Sequence, residues 1–106
     1  MNPVTAACPS MSDETVHELA ETFRALGDPT RVRILDALSN GELCVCDLSG
    51  VVRMSESAVS HQLRLLRGMR LVRSRRAGRH IFYAIDDQHI VELLHQALTH
   101  VQEKAE

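Results

Sequence analysis

Residues Ser55 to Val72 read SESAVSHQLRLLRGMRLV, and this stretch decides the fold. A helix start is written at its head. The Ser55 or Ser57 hydroxyl can cap the first turn, where Glu56 sets an anion against the positive end of the helix dipole. Val59, Leu63, Leu66 and Met69 then recur at helical spacing and form a stripe fit for burial. Ser57, Ser60, His61, Gln62 and Arg64 face away from that stripe. Short hydroxyls, amides and guanidinium groups of this kind reach base edges in a DNA major groove. The pattern predicts a recognition helix.

The flanks agree with that reading. Upstream, a short helix over Val45 to Val52 and a turn at Arg53 and Met54 complete a helix-turn-helix. Downstream, Val72, Ser74, Ile81, Tyr83 and Ile85 alternate around a turn at Ala77-Gly78, the signature of a β-hairpin. That hairpin carries Arg73, Arg75, Arg76 and Arg79, which makes it a wing suited to phosphates or a minor groove. The expected DNA-binding set is Ser55, Glu56, Ser57, Ser60, His61, Gln62 and Arg64 on the helix, with Arg73, Arg76 and Arg79 on the wing.

Further out, residues 1–11 are short, polar and proline-bearing, and are expected to form a flexible arm. Residues 12–106 are expected to form one winged helix-turn-helix domain. Ser12 can cap a first helix whose apolar side is Val16, Leu19, Ala20, Phe23 and Leu26, ended by Gly27. Asp28-Pro29 restarts a second helix with Val32, Ile34, Leu35 and Leu38 as core positions. Asp86 or Asp87 opens a last helix, to about Glu103, with Ile90, Leu94, Ala97, Leu98 and Val101 on one wide apolar stripe. The first and last helices are expected to meet a second copy through Leu19, Phe23, Ile90, Leu94 and Leu98.

At 106 residues the chain makes one domain, small enough that dimerisation helps to stabilise it. Its net charge of −2 hides a strong division. Residues 53–80 hold eight arginines and one acid, for +7, while residues 1–52 carry −5 and residues 81–106 carry −4. A single basic segment on an acidic protein suits one phosphate-binding face better than general polyanion binding. No apolar run approaches the ~20 residues that cross a bilayer, and no signal-peptide pattern opens the chain. The expectation is a cytoplasmic protein with no membrane partner. Three cysteines, two of them one residue apart, do not form a disulfide framework.

The last helix carries the sharpest chemical signal. His89 and His100 are eleven positions apart and differ in direction by only ~20° at 100° per residue. Along the axis they are ~16 Å apart, too far to share an ion bonded at ~2 Å. Two copies packed antiparallel bring His89 of one beside His100 of the other. Asp87 and Glu103 stand at the matching ends to add carboxylates. Each dimer then holds two Asp-His-His-Glu sets, which suit tetrahedral Zn(II) or Co(II). The plainer reading is two surface histidines with acidic caps.

A second constellation is Cys44-Val45-Cys46-Asp47, which can grip a soft metal from one side if other ligands complete the shell. Cys8 in the arm can supply a third thiolate, and His17 is an outside candidate. A buried structural cysteine pair or a dithiol redox switch fits the same residues.

With these residues in view, the chain resembles the ArsR/SmtB family of metal-sensing transcriptional repressors. The resemblance rests on the order of elements and on three segments: ELCVCDL (Glu42–Leu48), SESAVSHQLRLLR (Ser55–Arg67) and DQHIVELLHQALTHVQE (Asp87–Glu103). It covers about residues 13–103. It implies a mainly α fold with a β-hairpin wing, a winged helix-turn-helix assembled as a symmetric homodimer. It implies zinc ligands at Asp87, His89, His100 and Glu103, and a second site at Cys44, Cys46 and Asp47 joined by a cysteine-bearing arm from the partner chain. The arm here offers only Cys8, where family members with that site often have a pair of ligands. Ser49 stands where the arsenic-sensing variant has its third thiol.

The implied mechanism is an apo dimer that holds operator DNA and lets go when Zn(II) binds, with Co(II), Cd(II) or Pb(II) as other ions. By similarity, His100 would ligate through one ring nitrogen and donate from the other to a carbonyl around Arg70. The alternative is the same fold sensing Cd(II), Pb(II) or As(III) through Cys44 and Cys46. A metalloenzyme is disfavoured, because no further general base, oxyanion donor or glycine-rich substrate loop accompanies the ligands. A small-molecule substrate is therefore not expected. A purely structural zinc dimer is the remaining rival.

Overall fold

The computed structural model describes residues 11–105. Helix α1 (Asp13–Leu26) leads into α2 (Pro29–Leu38), strand β1 (Leu43–Cys44), α3 (Val45–Val52) and α4 (Glu56–Gly68). Strands β2 (Val72–Ala77) and β3 (His80–Ile85) form the wing, and α5 (Gln88–Ala105) follows. The expected arm, Met11 apart, lies outside the described residues, and Cys8 with it. Among the described residues no helix is long and apolar enough to cross a membrane.

Local chemistry sets most of the boundaries. The Ser12 hydroxyl accepts the Thr15 N–H at 3.1 Å and opens α1. Asp28 does the same for α2 through the Arg31 N–H at 3.1 Å, with Pro29 in the first turn. Ser55 settles the choice of cap for α4, accepting from the Ala58 N–H at 3.1 Å. Two non-glycine residues adopt left-handed backbone, Arg53 at φ 61° and Arg70 at φ 62°. Each ends a helix of the helix-turn-helix. After α4, Arg70 N–H bonds to the Arg67 carbonyl and Leu71 N–H to the Leu66 carbonyl, both at 3.0 Å. Leu66 and Leu71 are buried together beneath this turn. That contact completes a Schellman motif and offsets the ~1–2 kcal/mol that left-handed geometry costs a non-glycine residue.

The α4 stripe is the centre of the core. Val59, Leu63 and Leu66 are fully buried against Ile34 and Leu35 of α2 and Leu48 of α3. Leu71, Val72, Tyr83 and Ile85 close the core from the wing, and Val91 closes it from α5. The sheet has three strands in the order β1-β3-β2, not the two expected. Leu43 pairs with Tyr83 and Cys44 with Phe82, both antiparallel. The wing is therefore tied to the segment that carries the cysteines.

Several expectations need correction. The hairpin turn is Gly78-Arg79, with Gly78 at φ 64°, because Ala77 pairs with His80. The shift puts Arg79 at the tip of the wing. Val32 is not a core residue but 39% exposed. Val91, absent from the expected stripe, is the buried anchor of α5. Beyond Leu94 the residues of α5 through Glu103 are all exposed, so this helix leaves the body of the protomer.

Candidate DNA interface and metal-ligand clusters

Helix α4 turns its buried stripe inward and leaves Ser57, His61 and Arg64 exposed on the opposite side. The other expected readers sit on its flanks. Ser60 is half-buried and shares a cleft with Cys44, Cys46, Glu56, Arg79 and His80. Gln62, on the other flank, accepts at Oε1 from Arg31 Nε at 3.0 Å. Ser55 and Glu56 are both exposed at the head of the helix. The face expected from sequence is thus divided among an exposed centre, a cysteine-side flank and an α2-side flank.

The arginines of the wing divide in the same way. Arg73 Nη1 donates to the carbonyls of Ile85 and Asp86, at 2.6 and 3.0 Å, and braces the base of the hairpin. Arg75 grips Glu42 through Nε and Nη2, at 2.7 Å each, and lies 4.8 Å over the Phe82 ring. This bidentate pair holds the Glu42 carboxyl below its usual range and the Arg75 guanidinium above its own. The pair is present above the ordinary carboxylate range and fades only as pH falls through the lowered Glu42 value. Arg67, from α4, donates to the Ser74 hydroxyl at 3.1 Å. Arg76 and Arg79 are exposed, and Arg79 is at the tip.

Cys44 and Cys46 flank the start of α3 and differ in setting. Cys44 occupies the cap position, buried at 8% exposure, while Cys46 and Asp47 are exposed. The Glu56 carboxylate beside Cys46 pushes its thiol up, with desolvation, Cys44 and Asp47 adding to the effect. A raised thiol holds less thiolate at neutral pH, so Cys46 should react slowly with iodoacetamide there. Glu56→Gln removes the leading cause, and alkylation at pH 7.5 should then become faster. An unchanged rate would place the cause elsewhere. His17 lies on α1, hydrogen-bonded to the Asp13 carbonyl at 2.9 Å.

At the start of α5, the Asp87 carboxylate caps the helix by accepting the Ile90 N–H at 3.2 Å. Its Oδ1 is also 3.6 Å from His89 Nδ1, and the two side chains are 52% and 90% exposed. His100 and Glu103 are exposed eleven and more residues away, toward the other end of the helix. Among the described residues of one protomer, no three histidine, cysteine or acidic side chains converge to hold a metal ion. Each end of α5 therefore carries one imidazole and one carboxylate. Two imidazoles and two carboxylates are a donor set that zinc accepts. Beside these ends, α1, α2 and α5 enclose an open apolar groove of about 450 Å³, with Phe23, Val32, Leu94, Leu98 and Val101 in its walls.

Residues 28–74 match the family model described as "Bacterial regulatory protein, arsR family". The chain is 50% identical over 93 residues to the "Transcriptional repressor SmtB homolog" of Synechocystis sp., spanning 88% of this chain and 70% of that protein. It is 37% identical over 103 residues to the "Cadmium resistance transcriptional regulatory protein CadC homolog" of Staphylococcus aureus, spanning 96% of this chain and 85% of that one. Among solved structures, the AntR antimony-specific transcriptional repressor superposes with a TM-score of 0.84 at 33% identity, over 99% of this chain and 96% of the other.

Proposed function

The chain belongs to the ArsR/SmtB family of bacterial regulatory proteins, and from that premise we propose that it is a cytoplasmic, Zn(II)-responsive transcriptional repressor. It acts as a homodimer, not as an enzyme: without metal it holds operator DNA, and with zinc it lets go. The observation that carries this reading is the placement of Asp87 with His89 at one end of α5 and His100 with Glu103 at the other, beside an uncovered apolar groove. Antiparallel α5 helices from two copies would fill the groove and complete both ligand sets.

Recognition begins with Ser57, His61 and Arg64 on the exposed side of α4, which face base edges when the helix lies in the major groove. Ser55, Glu56, Ser60 and Gln62 border that face. Arg76 and Arg79 reach phosphates or the minor groove from the wing, and Arg73 backs them from its base. When bound, zinc would supply a fixed tetrahedral junction among Asp87 and His89 of one copy and His100 and Glu103 of the other. The ligands lie on structured helix positions, so joining them fixes the relative pose of the two α5 helices and, through the core, the spacing of the two α4 helices. Metal and DNA then compete through quaternary shape, and each must weaken the other by the same factor.

Fluorescence anisotropy on a duplex selected from a random pool tests the reading, with the expectation that zinc weakens binding. In the same assay, His61→Ala should change base preference by about 1–3 kcal/mol at one position per half-site. Arg79→Ala should weaken all sequences alike and flatten the salt slope by about one unit. If zinc leaves affinity unchanged, the last helix serves assembly alone.

A second reading has an observation of its own. Cys46 is exposed in the first turn of α3, two residues from Cys44, which pairs with Phe82 of the wing. Those thiols suit Cd(II), Pb(II) or As(III), with Asp47 and, from outside the described residues, Cys8 as further ligands. In that case cadmium, and not zinc, drives release, and Cys44→Ser removes the response.

A further inference from the structure

Gln62 lies on the recognition helix, yet its amide is already engaged by a residue of another element. Arg31, in the first turn of α2, donates from Nε to Gln62 Oε1 at 3.0 Å, and the bond is half-buried. A guanidinium has donors only, so the amide must present its oxygen to Arg31 and its NH2 group outward. The amide orientation follows from the partner's chemistry. A glutamine reads adenine bidentately by accepting from N6 with Oε1 while donating to N7 with Nε2. Arg31 occupies one of the two lone pairs of Oε1 and fixes the plane of the amide, so Gln62 is not free to turn both groups onto an adenine edge.

We propose, on the premise that this chain is a DNA-binding repressor, that Arg31 is a positioning residue that fixes the specificity of Gln62. The pair is donor-rich: it offers the NH2 group of Gln62 and the remaining nitrogens of Arg31, against one remaining lone pair on Oε1. It therefore favours hydrogen-bond acceptors, whether guanine O6 and N7, thymine O4 or a phosphate oxygen, over adenine. Arg31 suits this role because α2 is anchored independently of the DNA. Its backbone N–H is bonded to the Asp28 cap, and Ile34 and Leu35, in the next turn, are fully buried. Arg31 also lines a shallow hollow with Leu65, Leu66 and Met69 of α4, so its aliphatic stem rests along the recognition helix.

Selection from a random duplex pool tests this, with the wild type, Arg31→Ala, Gln62→Ala and the double variant, each first checked for unchanged thermal unfolding. Arg31→Ala releases the amide to turn and should shift preference toward adenine at one position per half-site, by up to about 150-fold. Adding Gln62→Ala should erase that preference. In the wild type, base-edge binding would give a guanine or thymine preference that Gln62→Ala removes, while phosphate binding would leave the position without preference. An Arg31→Ala profile identical to the wild type overturns the inference, even with a lower salt slope, since Arg31 would then be a phosphate contact only. A new preference that survives in the double variant overturns it too. If the wild type enriches no sequence at all, the repressor reading fails and takes this inference with it.

Discussion

Leu94→Asp should give a folded monomer with little affinity for operator DNA. Leu94 is only half-buried within the protomer and faces the groove walled by Phe23, Val32, Leu98 and Val101. In an isolated chain the new carboxylate can stay hydrated, so helical content and the α4 core should survive. Across the proposed seam the same carboxylate loses its water without gaining a partner. That costs several kcal/mol, and symmetry applies the cost twice. The dimerisation constant should fall by at least about a thousand-fold, since each 1.4 kcal/mol is a factor of ten. Operator affinity should fall with it, because two half-sites are read jointly only when the two α4 helices are linked. Sedimentation equilibrium with circular dichroism checks both parts. A variant that still sediments as a dimer, or a wild-type monomer that binds a palindrome tightly, would remove the groove from the dimer seam.

How much of this was legible in the sequence depended on the range of each interaction. The cap, stripe and termination of α4 are encoded within a few residues of one another, and the helix-turn-helix could be read from them. The apolar stripe of α5 and its histidine pair follow from helical period alone. Strand β1 could not be read in the same way: Leu43 and Cys44 are too few to show alternation, and their strand character comes from pairing with Tyr83 and Phe82 about 40 positions on. The roles of the flanking residues were hidden for the same reason. Gln62 looks like a base reader in isolation, and only the fold reveals Arg31 against it. Arg75 looks like any other wing arginine until Glu42 is found beneath it. Val32 carries a core residue's side chain but lines the groove beside α5 at 39% exposure, a placement that hydrophobicity alone does not distinguish from the core.

The second large effect concerns His100. In the proposed arrangement the α5 ligands stand on both copies at helical positions, so ligation acts directly on the angle between subunits. Cys44 and Cys46 lie instead at the start of α3, and their proposed third thiolate is in the segment before α1. We therefore assign zinc regulation to α5, with the cysteines secondary or selective for thiophilic ions. Removing the His100 imidazole takes away one of four ligands and the group proposed to touch the turn around Arg70, while leaving α4 and the wing intact. Apo operator affinity should be unchanged.

The most direct test is zinc-driven release from operator DNA, measured by anisotropy for the wild type, His100→Ala and Cys44→Ser. The wild type and Cys44→Ser should each lose about 5- to 150-fold in affinity when zinc is added, the usual range of an allosteric coupling, and His100→Ala should lose none. Release that persists in His100→Ala and vanishes in Cys44→Ser would contradict the account, giving the sensing role to the cysteines and leaving α5 as a dimer contact.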